Sequence, residues 1–116
     1  APGVLVRRYA PHSLLFPRAA VVVHHGGVGT TGQALRAGRP QLVVPFLGDQ
    51  PDNAARVARL GVGLTVAPKR FGTLAAGAVR RLLEGPDFAR RAAALGATVA
   101  AEEGAGNAAD AILATI

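Results

Sequence analysis

The sequence predicts an α/β fold, a parallel sheet with flanking helices, and three observations carry that prediction. Short apolar runs at residues 19–24, 41–45 and 63–67 alternate with stretches of helical character, the pattern of strands joined by crossover helices. Half of the 116 residues are apolar, yet only four are Phe and one is Tyr. A core of Val, Leu, Ile and Ala suits parallel strands covered on both faces. The two most polar, glycine-bearing loops follow directly on two of the apolar runs.

The elements follow in order. Residues 4–9 form a β-prone run after Pro2-Gly3, broken by Ala10-Pro11-His12-Ser13, and Ser13 is placed to cap one helical turn that Pro17 ends. Residues 19–24 are a continuous apolar run and read as a buried strand. A glycine turn follows, then a helix over residues 30–37 stopped by Gly38 and Pro40. Residues 41–45 form the next buried strand and residues 46–52 a loop. Pro51 suits the first turn of a helix that reaches Leu60 and ends at Gly61. Residues 63–67 form a third short strand. Thr73 can cap a helix to Glu84, Gly85-Pro86 breaks it, and Asp87 can cap the next. In that helix Phe88, Ala92, Leu95 and Val99 repeat at helical spacing and give a one-sided apolar stripe. Residues 102–106 interrupt, and Asn107 caps a last helix carrying Ile112, Leu113 and Ile116.

Bulk properties exclude several function classes. With no cysteine there is no disulfide framework and no thiolate metal site. No apolar run is long enough to span a bilayer and no leader is visible, so a soluble, cytoplasmic protein without a membrane span is expected. The net charge of +6 comes from twelve Arg and one Lys against seven acidic residues. Pairs such as Arg36/Arg39, Arg56/Arg59, Arg80/Arg81 and Arg90/Arg91 are spread along predicted helices, and no aromatic platform accompanies them. They read as solvated helix faces, and no nucleic-acid partner is expected.

The chemistry concentrates at residues 24–32, HHGGVGTTG. A strand, a glycine turn and a helix start together make an anion site, because the first helical N–H groups have no partner and the helix dipole places partial positive charge there. Gly26, Gly27 and Gly29 let a phosphate approach the backbone, Thr30 and Thr31 add hydroxyls, and His25 leaves the strand where its ring can donate to the same anion. Packing alone is the competing explanation for such a turn. Adjacent His24 and His25 point to opposite faces of a strand and have no third ligand close in sequence, so no metal is expected.

Gly27 to Gly32 spell G-x-G-x-x-G, so a dinucleotide site is the main rival, and it needs an acidic residue about 20 positions on. Asp49 is near that distance. It lies beyond Pro45 in a loop beside Gln50, however, and the helix after the turn is short. A carboxylate next to a carboxamide suits the vicinal hydroxyls of a sugar. Capping of the helix that begins at Pro51 is the plainer role for Asp49. Ligands in such sheets sit at the carboxyl ends of strands, which places the two loops side by side.

The stretch HHGGVGTTGQALRAGRPQLVVPFLGDQPDNAARVARLGVG resembles the sugar-nucleotide signature of two-domain GT-B glycosyltransferases that use UDP-type sugars. Bacterial antibiotic and macrolide transferases and fungal sterol glucosyltransferases are nearest in character. The likeness is strong over residues 4–67, with His25, Thr30, Gln33 and Asp49-Gln50 in the family's order and spacing. It implies that His25 contacts the donor diphosphate, that Thr30 and the turn of Gly26, Gly27 and Gly29 hold the phosphates, and that Asp49 and Gln50 bond sugar hydroxyls. Tyr9 and His12 correspond to the segment beside the nucleobase, and Gln33 to a ribose-binding Glu of plant members. Val28 and Gly29 stand where plant members have Trp and Asn.

The resemblance also implies a fold and a partner set. The chain corresponds to the C-terminal half of a partial, Rossmann-like nucleotide-binding domain, residues 1–116 forming one incomplete donor-binding domain without the N-terminal acceptor domain and the first strands. In the family's 3-2-1-4-5-6 strand order, the strand at residues 19–24 has a bare edge, which the missing remainder, self-association or the strand at residues 4–9, itself without a native neighbour, would cover. The expected activity is hexosyl transfer from a UDP- or dTDP-sugar to a hydroxyl of a natural-product or sterol-like acceptor, in a bacterial cytoplasm and without a cofactor. The general base is expected in the acceptor domain, so the isolated chain is expected to be inactive. A non-catalytic nucleotide-binding or interaction module and an NAD(P)-binding unit are the alternatives.

Overall fold

The computed structural model describes residues 3–102. Its sheet has three parallel strands, β1 (Val22–His24), β2 (Gln41–Val43) and β3 (Gly63–Thr65), in the order β1-β2-β3. The register pairs Val22 with Gln41 and Gln41 with Gly63. Each strand is shorter than its apolar run, but Val44 N–H still donates to His24 at 2.8 Å and Val66 N–H to Val43 at 3.0 Å, extending the ladder at its carboxyl end.

The helices are α1 (His12–Leu15), α2 (Val28–Ala37), α3 (Gln50–Leu60), α4 (Phe71–Glu84) and α5 (Pro86–Ala101), with 3-10 turns at Phe16–Arg18 and Pro68–Arg70. All three β2 residues are buried, as the central strand of a covered sheet requires. Val43 packs with Leu35 of α2, Ala54 and Val57 of α3, Ala92 of α5, and Val62 just before β3. Leu42 packs in a second cluster with Val66 and Leu82, beside α4. Burying each such Val or Leu contributes about 1.5–3 kcal/mol. In α5 the expected stripe is present: Ala92 and Val99 are buried and Leu95 and Phe88 half-buried.

Several expectations are corrected. Residues 4–9 form no strand; Val4, Leu5, Val6 and Tyr9 are 65–81% exposed. β-propensity alone forms no strand, and this run does not pair with the open edge of β1. α2 begins two residues before Thr30, at Val28, with Gly27 in the extended N-cap position. It therefore runs ten residues, longer than expected. Ser13, Thr73 and Asp87 do not cap. α1, α4 and α5 follow Pro11, Arg70 and Gly85, none making a side-chain cap bond, and Asp87 instead pairs with Arg90 in the first turn of α5. The helix expected from Asn107 lies outside the described residues.

Candidate functional site: a glycine turn at the strand ends

β1 and β2 end side by side, and α2 starts from the turn between them. Gly38, with φ of +71°, ends α2 in the left-handed conformation that glycine adopts without a steric cost. At the other end of α2, Thr31 N–H is the first to find a helical acceptor, the Gly27 carbonyl at 2.9 Å. The amides of Val28, Gly29 and Thr30 are the unpaired start of the helix. A Cβ on Gly27 or on Gly29 would meet nothing within 4 Å, so open space lies over both. Packing is not what keeps these two positions small. Gly26 differs: its φ is +96°, and a Cβ would stand 3.0 Å from both the Gln50 carbonyl oxygen and Val43 Cγ1.

The two histidines part company. Gly26 N–H donates to His24 Nδ1 at 3.0 Å, so that nitrogen carries no proton, and Nε2–H donates to Gln41 Oε1 at 2.6 Å. Gln41 is fully buried, and this bond fixes its amide orientation, leaving Nε2 buried without a partner. His24 is thus a neutral structural group. His25 turns away from it. Its Nδ1–H donates to the Val44 carbonyl at 3.3 Å, and its ring meets Phe46 edge-on at 4.8 Å. Nε2 is left to meet a ligand. Among the described residues no three His, Asp or Glu side chains group to hold a metal.

Burial, with smaller contributions from His25 and His12, holds His24 below the ordinary imidazole value of 6.5 against the opposing pull of Gln41. The folded protein therefore takes this proton less readily than the unfolded chain. The corresponding stability is complete above pH 6.5 and is lost as the pH falls through the lower folded-state value. Denaturant midpoints are expected to drop on acidification below pH 6.5, and to drop less in His24→Asn, whose amide oxygen can still accept from Gly26. Equal slopes in both proteins would contradict this.

A cleft of about 780 Å³ opens over the turn, within the usual range for small-ligand sites. It brings together His12, His25, Gly27 and Thr30 among the expected residues. Phe16, Phe46 and Phe71 supply an aromatic wall that the sequence did not single out. His12 stacks on Phe16, with centroids 4.5 Å apart, and its Nδ1–H donates to Gln33 Oε1 at 2.9 Å, tying α1 to α2. Tyr9 is 81% exposed and does not line the cleft. Thr31 is fully buried, so its hydroxyl faces the interior while Thr30 faces the cleft.

Asp49 and Gln50 also lie outside the cleft lining, at the start of α3. Asp49 is exposed and makes no side-chain cap bond, so the plain capping role does not occupy its carboxylate. Gln50 Oε1 accepts from the amides of Phe46 and Leu47 at 2.8 and 3.2 Å, which closes the loop. The Gln50 side-chain NH2 makes neither of these bonds. Asn53, one turn further along α3, was not singled out by sequence. Its only signal is a polar residue beside Ala54 and Val57 on a buried helix face.

With this geometry, residues 1–114 match the family described as erythromycin biosynthesis protein CIII-like, C-terminal domain. The chain belongs to this family. Family membership agrees with the relatives, which are glycosyltransferases. The chain is 48% identical over 101 residues to O-mycaminosyltylonolide 6-deoxyallosyltransferase of Streptomyces fradiae, covering 85% of the chain and 24% of that protein. It is 42% identical over 114 residues to a sterol 3-beta-glucosyltransferase of Neurospora crassa, covering 96% of the chain and 7% of that protein. Among solved structures, the glycosyltransferase VinC in complex with DTDP superposes with a TM-score of 0.80 at 30% identity, over all of this chain and 30% of VinC. The glycosyltransferase of kitacinnamycin gives a TM-score of 0.81 at 33% identity, over 97% of this chain and 29% of that one. The fold is therefore that of GT-B glycosyltransferases, and the chain spans a quarter or less of the curated relatives named. No described helix is long and apolar enough to cross a membrane.

Proposed function

We propose that this domain holds the nucleoside-diphosphate sugar of a hexosyltransferase. The observation that carries the reading is the meeting of His25, Thr30 at the unpaired start of α2 and the open space over Gly27 in one cleft at the strand ends. As the glycosidic bond to the donor breaks, negative charge builds on the departing β-phosphate. The Thr30 hydroxyl and the first amides of α2 donate to that charge and His25 Nε2 faces it, and preorganised polar groups lower the barrier. Asp49 and the free amide of Gln50 orient the sugar hydroxyls. Gln33 and His12 belong to the nucleoside side, and the acceptor hydroxyl and its base come from the rest of the transferase. The isolated chain then binds donor without transferring the sugar.

Calorimetric titration of the chain with UDP, dTDP and NAD tests this. Saturable binding of UDP or dTDP, and none of NAD, is expected. The preference between UDP and dTDP reports the base, and the DTDP bound in VinC makes the second arm necessary. Binding of NAD alone would replace the reading with a dinucleotide site.

A further inference from the structure

Both polar groups of the Gly26 peptide unit are held by side chains from different elements. Its N–H donates to His24 Nδ1 at 3.0 Å, and its carbonyl accepts from Asn53 Nδ2 at 2.8 Å. His24 is in turn anchored on β2 through buried Gln41. Asn53 is 2% exposed on α3, and its own N–H donates to the Asp49 carbonyl at 3.1 Å. The missing Cβ of Gly26 lets the Gln50 backbone close in from the same side. Two short bonds therefore run from the turn facing the diphosphate to the residue pair at the start of α3, through Gly26 and Asn53.

We propose that Asn53, with His24, is a positioning residue that fixes the spacing between the diphosphate turn and Asp49-Gln50. The proposal rests on the donor-binding reading above. Neither side chain lines the site with a free donor: the proton on His24 is committed to Gln41 and the Asn53 amide to Gly26. Their effect passes through the Gly26 peptide. The consequence is specific. A nucleoside diphosphate touches the turn alone, whereas a nucleotide sugar must also reach Asp49 and Gln50. Loosening the Gly26 carbonyl anchor therefore penalises the nucleotide sugar more than the nucleotide.

The test compares affinities of the chain and its Asn53→Asp and Asn53→Ala variants for UDP against UDP-glucose, and for dTDP against dTDP-glucose. Asn53→Asp keeps the shape and removes the donor. The advantage of the sugar nucleotide over the bare nucleotide is expected to shrink about tenfold, less than the roughly hundredfold that a 1 Å misplacement can cost in rate. A role confined to stability would leave that ratio unchanged in the folded variants, and an unchanged ratio overturns the proposal. Should the variants not fold, the wild-type chain answers alone: UDP-glucose or dTDP-glucose must shift the Asn53 side-chain amide resonances more than the bare nucleotide does, and equal shifts overturn it. Wild-type protein that binds none of the four compounds removes the donor-binding reading and this proposal together. Wild-type protein that binds them with the ratio unmoved removes this proposal alone.

Discussion

Replacing His25 by alanine in a full-length transferase carrying this domain is expected to lower kcat by about 10²–10³-fold, the scale set by removing one preorganised donor from a developing oxyanion. The fold gives a reason to expect loss of rate rather than loss of structure. His25 is exposed, its Nδ1 bond to Val44 is long at 3.3 Å, and the strand ladder beneath it is carried by the backbone bond from Val44 N–H to His24. Alanine removes the ring and leaves that ladder. On the donor-binding reading the amides of α2 still hold the ground-state diphosphate, so nucleotide affinity should fall far less than kcat. Steady-state rates and calorimetry on the same preparation check both halves. Turnover unchanged in His25→Ala would remove the histidine from the chemistry, and a loss of affinity with kcat unchanged would make it a ground-state binder only.

The adjacent His24 shows why two identical letters were only half legible. Strand alternation separates the rings, and that much follows from period two. The partners do not follow from local sequence. Gln41 is seventeen positions away and meets His24 because β1 and β2 pair in a parallel register. Asn53 was illegible for the same reason, being twenty-seven positions from Gly26. The buried strands were legible because covered parallel strands read as unbroken apolar runs. Residues 4–9 misled because their side chains favour strand while nothing in the run supplies a pairing edge. The start of α2 shifted for a local reason. Threonine and glycine cap about equally well, and here Gly27 takes the extended cap conformation while Thr31 is drawn into the core. The placement of Asp49 and Gln50 was legible to the level of the loop. That the Gln50 oxygen closes its own loop was not.

The cleft carries more apolar surface than the glycine motif announces. Phe46 and Phe71 are 58% and 44% exposed, and both line it together with Phe16. These three rings make one wall of the cleft apolar beside the unpaired start of α2. The aromatic residues are few in this chain, and concentrating three of the four Phe here is a cost in exposed apolar area that the core alone does not explain.

Two glycine-to-alanine changes should move stability in opposite directions, because the helices around the site use glycine for different reasons. A Cβ at Gly96 in α5 would stand 2.6 Å from Gly38 Cα, 2.8 Å from Gly38 N and 2.9 Å from the Leu35 carbonyl oxygen. All three are backbone atoms, and Gly38 itself holds the left-handed turn that ends α2, so no side chain can swing away. Gly96→Ala must push α5 off α2 and open the cluster around Leu35 and Ala92. A loss of about 3 kcal/mol is expected, at the upper end for overpacking. Gly77 lies inside α4, where a Cβ meets nothing within 4 Å. Gly77→Ala gains helix propensity and restricts the unfolded chain, for an expected gain of about 0.4–1 kcal/mol. Urea denaturation of the two variants beside the wild type measures both. Because α2 starts at the turn proposed to hold the diphosphate, the Gly96 variant should also bind nucleotide more weakly under conditions where it remains folded. A neutral Gly96→Ala would mean that the close approach of α5 to the end of α2 is not needed to hold that helix in place.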